Sequence, residues 1–506
     1  MSDTLLRMEE ITKVFPGVVA NDRVTFEVAP GEVHALLGEN GAGKTTLMNI
    51  LTGLYHPDGG RIFLDGREVS IPSPKAAIRL GIGMVHQHFM LVPPFSVVQN
   101  VAMGLRETRS PTLKFDRLAE DIRKLAARFR LDLDPWAVTE TLPLGTQQKV
   151  EILKALYRKA RLLILDEPSA VLTPQEFEEL SQILRALVDN GVSIIFISHK
   201  LEEVMSVTDR LTVLRGGRVI DTVRTADTSL PELAQMMVGR PVVFEFPKSE
   251  REPGETVLEL DDVSVQDDKG LTALRGASLK VRRGEILGVA GVDGNGQREL
   301  AELIFGLREP ASGTVRIEGK DIRGWGPRDL TARSVGRIPE DRQGMGLMLS
   351  LTVKENLILE RFQEPPFCRR GFLSKRAIEG ESRRLIWEHD IRPPSQNLAV
   401  GSLSGGNQQK VIIARVMMQP PDLLIAMNPT RGLDVGATEF VYKTLLEQRE
   451  KGAAILFISS ELSEIMSLSD RIVVLYEGRI QGETTGADAD ELTLGLWMAG
   501  VSGEPA

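Results

Sequence analysis

The sequence predicts an α/β protein built from two similar domains, each organised around a largely parallel β-sheet. At 506 residues the chain is longer than one hydrophobic core usually serves. Val24–Gly43 (VTFEVAPGEVHALLGENGAG) has a counterpart in Ala277–Gly296 (ASLKVRRGEILGVAGVDGNG), so the sequence contains an internal repeat. Within each copy, short apolar runs alternate with amphipathic stretches, as strands and helices do in such folds.

The repeat extends through both halves of the chain. LPLGTQQKV at Leu142 corresponds to LSGGNQQKV at Leu403, and the spacing predicts a small insertion in the second copy around Arg361–Ser374. Between the copies, Pro241–Glu255 carries three prolines and several charges, which is typical of a linker. We therefore expect a first domain over 1–242, a linker over 243–255 and a second domain over 256–506.

Apolar runs locate the central strands of the first copy. Val33–Leu37, Leu162–Leu165 and Ser193–Ile197 are apolar enough to be buried on both faces, as parallel strands are. Helical patterns follow at Thr45–Leu54 and Pro174–Val188.

Bulk composition excludes several classes of protein. A net charge of −9 argues against nucleic acid as the main partner, because phosphate binding needs a basic surface. The single cysteine, Cys368, excludes an internal disulfide framework and fits a reducing cytosol. We find neither an apolar run long enough to span a bilayer nor a signal peptide at the N-terminus. If the protein serves a membrane transporter, the pore belongs to another chain.

Gly38–Thr45 (GENGAGKT) matches the phosphate-binding pattern G-x-x-x-x-G-K-[ST] between a predicted strand and a predicted helix. Glycines let the backbone wrap the phosphates of ATP, and the helix N-terminus adds a positive field. Lys44 should reach the β- and γ-phosphates, while the Thr45 hydroxyl ligates Mg²⁺. The nucleotide-binding residues expected here are Gly38, Asn40, Gly41, Gly43, Lys44, Thr45 and Thr46.

Acidic and imidazole groups follow the neighbouring strands. Asp166 and Glu167 end the run LLILDEP; Asp166 is the expected Mg²⁺ ligand, and Glu167 the group that orients or deprotonates the attacking water. His199 follows Ser193–Ile197 and is the expected γ-phosphate contact. Gln87 is a candidate for contacting both metal and water.

Together with LSGGNQQK at Leu403, these motifs resemble the ATP-binding-cassette (ABC) ATPases over both halves of the chain. The resemblance implies two such P-loop domains, each with an antiparallel β subdomain and a helical subdomain beside the parallel sheet. It implies that Phe15 stacks on adenine and that two cassettes pair head-to-tail. Each ATP then lies between one copy's P-loop and the other copy's signature. For the first P-loop the signature residues are Ser404, Gly405 and Gly406, and Asp434 of the aspartate loop joins them.

The second copy departs from the family pattern where the first keeps it. Lys44 and Thr45 are replaced by Gln297 and Arg298, Asp166 and Glu167 by Met427 and Asn428, His199 by Ser460, and Gln87 by Glu340. The first copy has the altered signature, with Pro143 and Leu144, and carries Thr173 where the second has Asp434. If the two copies pair head-to-tail, the retained residues of both copies form one complete composite site, and the replaced residues form the other, defective site. We therefore expect hydrolysis at the complete site alone. Nucleotide binding without hydrolysis and an empty structural site both remain open for the defective site.

PEDRQGMGL at Pro339 and NPTRGLDVGA at Asn428 resemble segments of the ATPases of ribose, xylose and galactose importers. MVHQHFMLVPPFSVVQN at Met84 and AGVDGNGQREL at Ala290 resemble most closely the nucleoside-importer branch of that group. The resemblance implies an ATPase peripheral to the cytoplasmic face of the inner membrane. Its implied partners are two permease subunits and an extracytoplasmic solute-binding protein. The alternatives are a soluble tandem ATPase acting on ribosomes or DNA, and a regulatory module that closes on ATP without turnover.

Overall fold

The computed structural model describes residues 4–86, 89–105, 115–169, 172, 174–198, 200–241, 248 and 252–501. The chain divides into two compact units, Met1–Val242 and Val243–Ala506. Each unit has a four-stranded antiparallel sheet and a six-stranded, mostly parallel sheet. The predicted α/β class is therefore confirmed.

Strands and helices alternate along the first unit. Its strands are β1 (Leu6–Phe15), β2 (Val18–Val28), β3 (Val33–Leu37), β4 (Gly59–Leu64), β5 (Arg67–Val69), β6 (Ile82–Val85), β7 (Leu162–Asp166), β8 (Ser193–Ile197), β9 (Arg210–Arg215) and β10 (Arg218–Arg224). Its helices are α1 (Lys44–Leu51), α2 (Pro74–Arg79), α3 (Val97–Ala102), α4 (Phe115–Arg128), α5 (Leu144–Tyr157), α6 (Pro174–Asp189), α7 (Leu201–Val207) and α8 (Leu230–Val238). Short 3-10 turns occupy Thr139–Thr141 and Thr225–Asp227.

The larger sheet of the first unit has the order β10-β9-β3-β8-β7-β6, and the smaller has the order β2-β1-β4-β5. Strands β6, β7, β8, β3 and β9 run parallel, and β10 returns antiparallel to β9. The carboxyl ends of β3, β7 and β8 therefore meet at one edge of the sheet, where ligands bind in folds of this kind. Helices α3, α4 and α5 pack on one another as the helical subdomain.

The second unit repeats this plan. Its strands are β11 (Thr256–Gln266), β12 (Thr272–Arg282), β13 (Ile286–Ala290), β14 (Ser312–Ile317), β15 (Lys320–Asp321), β16 (Val335–Ile338), β17 (Cys368–Arg369), β18 (Phe372–Leu373), β19 (Leu423–Met427), β20 (Ala454–Ser459), β21 (Arg471–Tyr476) and β22 (Arg479–Thr485). Its helices are α9 (Gln297–Ile304), α10 (Pro327–Thr331), α11 (Val353–Leu357), α12 (Lys375–Glu388), α13 (Gly405–Met417), α14 (Val435–Glu450), α15 (Leu462–Leu468) and α16 (Glu491–Met498). A π-helical turn occupies Arg342–Gly346 and a 3-10 turn Val400–Ser402.

The sheets of the second unit are β16-β19-β20-β13-β21-β22 and β12-β11-β14-β15, with a separate β17–β18 hairpin in the stretch where an insertion is predicted. The central strand β13 is buried along its whole length. Ile286 and Ala290 join a core with residues of α13, α14 and α15, whereas Leu287 and Val289 join one with the antiparallel sheet and α9. Burial on both faces explains why this strand reads as a continuous apolar run.

One predicted boundary was wrong. The apolar pattern extends the first helix to Leu54, but α1 ends at Leu51, with Thr52 as its C-cap. Gly53 follows at a φ of 74°, and a Cβ there would lie 2.6 Å from the main chain of Ser73. A left-handed glycine pressed against another chain segment ends the helix early.

Within the described part of the chain, no helix has the length and apolar character needed to cross a membrane.

Candidate active site

Glycines shape the loop between β3 and α1. Gly38, Gly41 and Gly43 have φ angles of 153°, 84° and 102°. A Cβ on Gly38 would lie 2.3 Å from the Leu214 carbonyl oxygen, and one on Gly43 would lie 2.3 Å from that of Ala20. At both positions only glycine combines this backbone angle with so close an approach to another main chain.

Lys44 is the first residue of α1, and its side chain is buried. Its Nζ donates hydrogen bonds to the main-chain oxygens of Gly38 at 2.7 Å and Glu39 at 3.1 Å. The ammonium group is therefore folded back over the loop at the N-terminus of the helix. Lysine charge and helix dipole act together there and make the loop suitable for an anion.

The remaining predicted residues of the loop lie nearer the surface. Asn40, Gly41 and Thr45 are exposed, and Thr46 is half-buried in the first turn of α1. Asn21 was not predicted as part of the site; it is a buried residue of β2 whose Nδ2 donates to the Gly43 carbonyl at 3.2 Å. A polar residue within a strand of alternating apolar residues is the feature of the sequence that could have indicated Asn21.

Asp166 is the last residue of β7 and pairs in register with Ile197 of β8. Burial raises the pKa of its carboxyl, and the neighbouring Glu167 raises it further, whereas His86 and Lys44 act in the opposite direction. The influence of Lys44 places this carboxyl within electrostatic reach of the phosphate loop. A partly buried carboxylate with insufficient positive charge around it is suited to receive a cation.

Glu167 has an unusual backbone conformation. Its φ is 48°, and its N–H donates to the Ile197 carbonyl oxygen at 2.8 Å. Asn428 of the second unit has a φ of 40°, and its N–H donates to the Ile458 oxygen at 2.7 Å. Left-handed backbone is uncommon for residues other than glycine. The two units therefore share this local geometry and differ in the side chain, a carboxylate in one and an amide in the other.

Two predicted site residues, Gln87 and His199, lie outside the described residues, as does Thr173.

Phe15 lies at the end of β1 and is half-buried. Its ring meets that of Tyr55 edge to face, with centroids 5.5 Å apart, and Lys13 Nζ lies 5.6 Å from the Phe15 ring centre. Tyr55 was not predicted as part of the site. Both aromatic rings are accessible beside the first phosphate-loop helix, which suits a planar base.

The second unit keeps the loop backbone and replaces its charge. Gly291, Gly294 and Gly296 have φ angles of 159°, 93° and 104°, and α9 begins at Gln297. Gln297 is buried, and its Nε2 donates to the Val292 carbonyl at 2.9 Å. A neutral amide therefore bonds within this loop where Lys44 carries a cation in the first unit.

Arg298 does not compensate for that loss. Its Nε donates to Glu302, one turn further along α9, at 2.8 Å, and its Nη2 lies 4.0 Å from Asp268. Arg308 contacts the same two carboxylates, so the two guanidinium charges are balanced within this cluster of four residues.

The remaining replaced positions of the second unit are linked to one another. Asn428 donates to Glu340 at 3.2 Å and accepts a hydrogen bond from the Ser460 N–H at 3.0 Å. Arg431 forms an ion pair with Glu340, and its Nη1 lies 3.7 Å from Asp293 in the glycine loop. This asparagine–arginine network, comprising Asn428, Glu340, Ser460, Arg431 and Asp293, was not predicted.

The signature residues of the second unit lie together at the start of α13. Ser404 is the N-cap and accepts a hydrogen bond from Asn407 at 2.9 Å. Asp434 caps α14, accepting from the Ala437 N–H at 2.9 Å, and its Oδ2 would lie 4.0 Å from a Cβ on Gly406. The helix N-terminus and these small residues form a second surface suited to phosphate.

The corresponding helix of the first unit starts differently. Pro143 is the N-cap of α5 and offers no side-chain hydrogen bond, and Leu144 is 49% exposed. An apolar side chain therefore covers the helix start where the second unit has Gly405.

The ABC transporter family model matches residues 21–170 and 274–431. The chain is 48% identical over 499 residues to a nucleoside import ATP-binding protein, NupA, of Lactococcus lactis, covering 99% of each chain. It is also 48% identical to a guanosine import ATP-binding protein, NupO, of Bacillus subtilis, covering 99% of this chain and 98% of that protein. A ribose import ATP-binding protein of Rubrobacter xylanophilus is 45% identical over 98% of each chain.

Among solved structures, a complex of archaeal ribosomal stalk protein aP1 with ribosome recycling factor aABCE1 matches 97% of this chain and 92% of the other with a TM-score of 0.63. At 20% identity this likeness concerns the fold alone. Family match, full-length relatives and fold agree, and the chain belongs to the ABC transporter family as an ATP-binding and ATP-hydrolysing protein with two cassettes.

Proposed function

We propose that this chain hydrolyses ATP at one composite site and thereby powers the import of a nucleoside or a simple sugar through a membrane permease. The composite site combines the phosphate loop of the first unit with Ser404–Gly406 and Asp434 of the second. The observation that carries the proposal is a comparison of Glu167 with Asn428. The two residues share one backbone geometry, but the carboxylate of Glu167 can accept a proton from water and the amide of Asn428 cannot.

In the first unit, Lys44 and the N–H groups of the glycine loop bind the phosphates. Thr45 and Asp166 are the Mg²⁺ ligands, with Gln87 as a further contact. The donor set fits the metal, since Mg²⁺ takes one or two protein oxygens, substrate phosphates and water. Bound Mg²⁺ would neutralise phosphate charge. The exposed Thr45 and the raised pKa of Asp166 both favour this assignment.

Glu167 orients the attacking water and accepts its proton. The water oxygen bonds to the γ-phosphorus, the bond from that phosphorus to the bridging oxygen breaks, and ADP and phosphate leave. His199 contacts the γ-phosphate as charge develops on it. The left-handed backbone of Glu167 sets the direction in which its side chain leaves the main chain. Residues in such strained conformations contribute to preorganised active sites.

The second phosphate loop does not hydrolyse ATP. Gln297 supplies no charge, Arg298 is neutralised, and Asn428 is held by Glu340 and Ser460. Removing a single transition-state donor typically costs about 2.7–4 kcal/mol, and several are missing here.

The names of the three relatives support import as the process, with nucleosides before sugars. We propose two permease subunits and an extracytoplasmic solute-binding protein as partners, with this chain at the cytoplasmic face of the inner membrane. We also propose 243–255 as the linker between the cassettes. The net charge of −9 disfavours the ribosome- or DNA-directed alternative.

The test compares Glu167→Gln with Asn428→Ala in the full-length chain assembled with its permease. We expect the first to abolish ATP hydrolysis and the second to leave the rate within about twofold, because only Glu167 lies in a site with several other transition-state contacts. Equal losses in both variants would refute the one-site proposal. Competition of ribose and of nucleosides for uptake by cells expressing the whole system distinguishes the two substrate classes.

A further inference from the structure

Both units contain one carboxylate that joins two loops at the carboxyl edge of the parallel sheet. In the first unit, Glu203 of α7 accepts hydrogen bonds at its Oε2 atom from the hydroxyl groups of Ser169 and of Ser198, the latter at 3.5 Å. In the second unit, Glu464 of α15 accepts from Thr430 at 2.6 Å and from Ser459 at 2.7 Å. The partners correspond in the two units, but one oxygen of Glu203 accepts both hydrogen bonds whereas Glu464 uses one oxygen for each.

The two loops joined in the first unit are those that carry the proposed chemistry. Ser169 is two residues beyond Glu167, and Ser198 is the residue before His199. Ser169 is buried, and the Ser198 hydroxyl also accepts from the Lys200 N–H at 3.0 Å. A single oxygen atom of Glu203 therefore links the loop that follows β7 to the loop that follows β8, by a close contact with Ser169 and a longer one with Ser198.

The two units differ in the surroundings of this carboxylate. Glu203 has Lys200 Nζ at 3.6 Å from its Oε1, with 15% of its side chain exposed. Glu464 lies deeper and accepts a further hydrogen bond from Tyr442 at 2.9 Å, and Glu461 stands where the first unit has Lys200. Burial raises the pKa of Glu464. The carboxylate thus links the two loops in both units. In the first unit this link is combined with a lysine, Lys200, and with the candidate catalytic base Glu167.

We propose that Glu203 is a positioning residue for ATP hydrolysis. It does not touch the nucleotide; it links the segment after Glu167 to Ser198 and thereby sets the separation of the two loops from which Glu167 and His199 are proposed to act. Misplacing reacting groups by about 1 Å can lower a rate by as much as about 100-fold. The inference rests on the proposed function of Glu167 and His199 in the first unit.

The test measures kcat and KM for ATP in the full-length chain, with thermal melting recorded for every variant. Glu203→Ala removes both hydrogen bonds and is expected to lower kcat by about tenfold or more, with KM changed less than about threefold, because it disturbs geometry and leaves the phosphate loop intact. Glu203→Gln keeps an oxygen that can accept from both serines, so it should recover most of the native kcat.

Ser198→Ala and Ser459→Ala form a matched pair, since each removes the hydroxyl that joins the carboxylate to the loop after the corresponding strand. We expect Ser198→Ala to lower kcat and Ser459→Ala to leave it within about twofold, as the loop after β20 lacks the groups required for catalysis. A similar kcat loss in both serine variants, or a loss in Glu203→Ala that Glu203→Gln fails to recover, would overturn the proposal.

Glu167→Gln is measured alongside. If it remains active, the proposed function fails; if it is inactive while Glu203→Ala keeps the native kcat, only the positioning role of Glu203 fails.

Discussion

The Nζ atom of Lys44 lies 2.7 Å from the main-chain oxygen of Gly38, inside the loop that Gly38 begins. The main-chain oxygens of the loop thereby help to keep the cation in position. Lys44 Nζ also donates to the Glu39 oxygen at 3.1 Å, and the amide of Gln297 makes the corresponding bond to Val292 in the second unit, where the loop is preserved without the charge.

Lys44→Gln should convert the first loop into a copy of the second. The loop should keep its shape because the amide can bond within it, while loss of the cation weakens ATP binding by at least about tenfold, equivalent to about 1.4 kcal/mol. Titration with a fluorescent ATP analogue measures the affinity. Gln297→Ala is the control and should leave affinity at the first site unchanged; an unaltered dissociation constant for Lys44→Gln would contradict the assignment.

Gly43→Ala and Gly191→Ala separate backbone strain from steric exclusion. Both glycines have left-handed φ angles, 102° and 83°, but a Cβ on Gly43 would lie 2.3 Å from Ala20 O while nothing lies within 4 Å of one on Gly191. Gly191→Ala should therefore cost only the strain of about 1–2 kcal/mol. Gly43→Ala should cost more and also abolish ATP binding. Calorimetric melting and nucleotide titration of both variants check this, and equal melting shifts would argue against the close approach.

Asp166→Asn should raise the melting temperature of the nucleotide-free chain at neutral pH. Burial lifts the pKa of Asp166 in the folded state, so keeping the carboxyl ionised there destabilises the fold relative to the unfolded chain. That cost is greatest above the folded-state pKa, shrinks as the pH falls through it, and vanishes below the unfolded value of 3.8. The stabilisation by asparagine should decline in the same direction. Melting curves between pH 7 and about pH 4 test it; a gain that grows on acidification would refute the cause given.

Gly405 of the second unit corresponds to Leu144 of the first, and Gly405→Leu introduces the same side chain at that position. A Cβ on Gly405 would lie 3.5 Å from Arg342 Nη2, an ordinary contact, so the variant should fold. If Gly405 closes over the first phosphate loop, hydrolysis should fall by about 100-fold or more, as for loss of a phosphate-facing donor.

Leu144→Gly is the matched control for Gly405→Leu. It restores a glycine to the first unit's signature, yet should not raise the hydrolysis rate, because the second loop still lacks Lys44's counterpart. Steady-state ATPase assays on both chains suffice, and a gain of activity in Leu144→Gly would mean that the second loop is competent.

Residue patterns predicted the fold well because its strongest signals are local. The apolar run Val33–Leu37, the glycines after it and Lys44 are contiguous in sequence, and each dictates its own conformation. The end of α1 was mispredicted since it depends on Ser73, which is distant in sequence from Gly53. Asn21, Tyr55 and Glu203 were not predicted for the same reason, because they act through contacts with residues that are distant in sequence. Their roles follow from which segments the sheet brings together, and neither periodicity nor motif spacing encodes that.

The ion pairs of Arg431 with Glu340 and Asp293 connect the glycine loop of the second unit to the loops that follow β16 and β19. A ligand stabilises the fold that binds it, and this stabilisation grows with the ratio of the ligand concentration to the dissociation constant. As ATP is depleted, the first phosphate loop should therefore lose the stabilisation that bound nucleotide provides, whereas the ion pairs of the second loop do not depend on nucleotide. In a starved cell, hydrogen exchange should then rise first in the first phosphate loop.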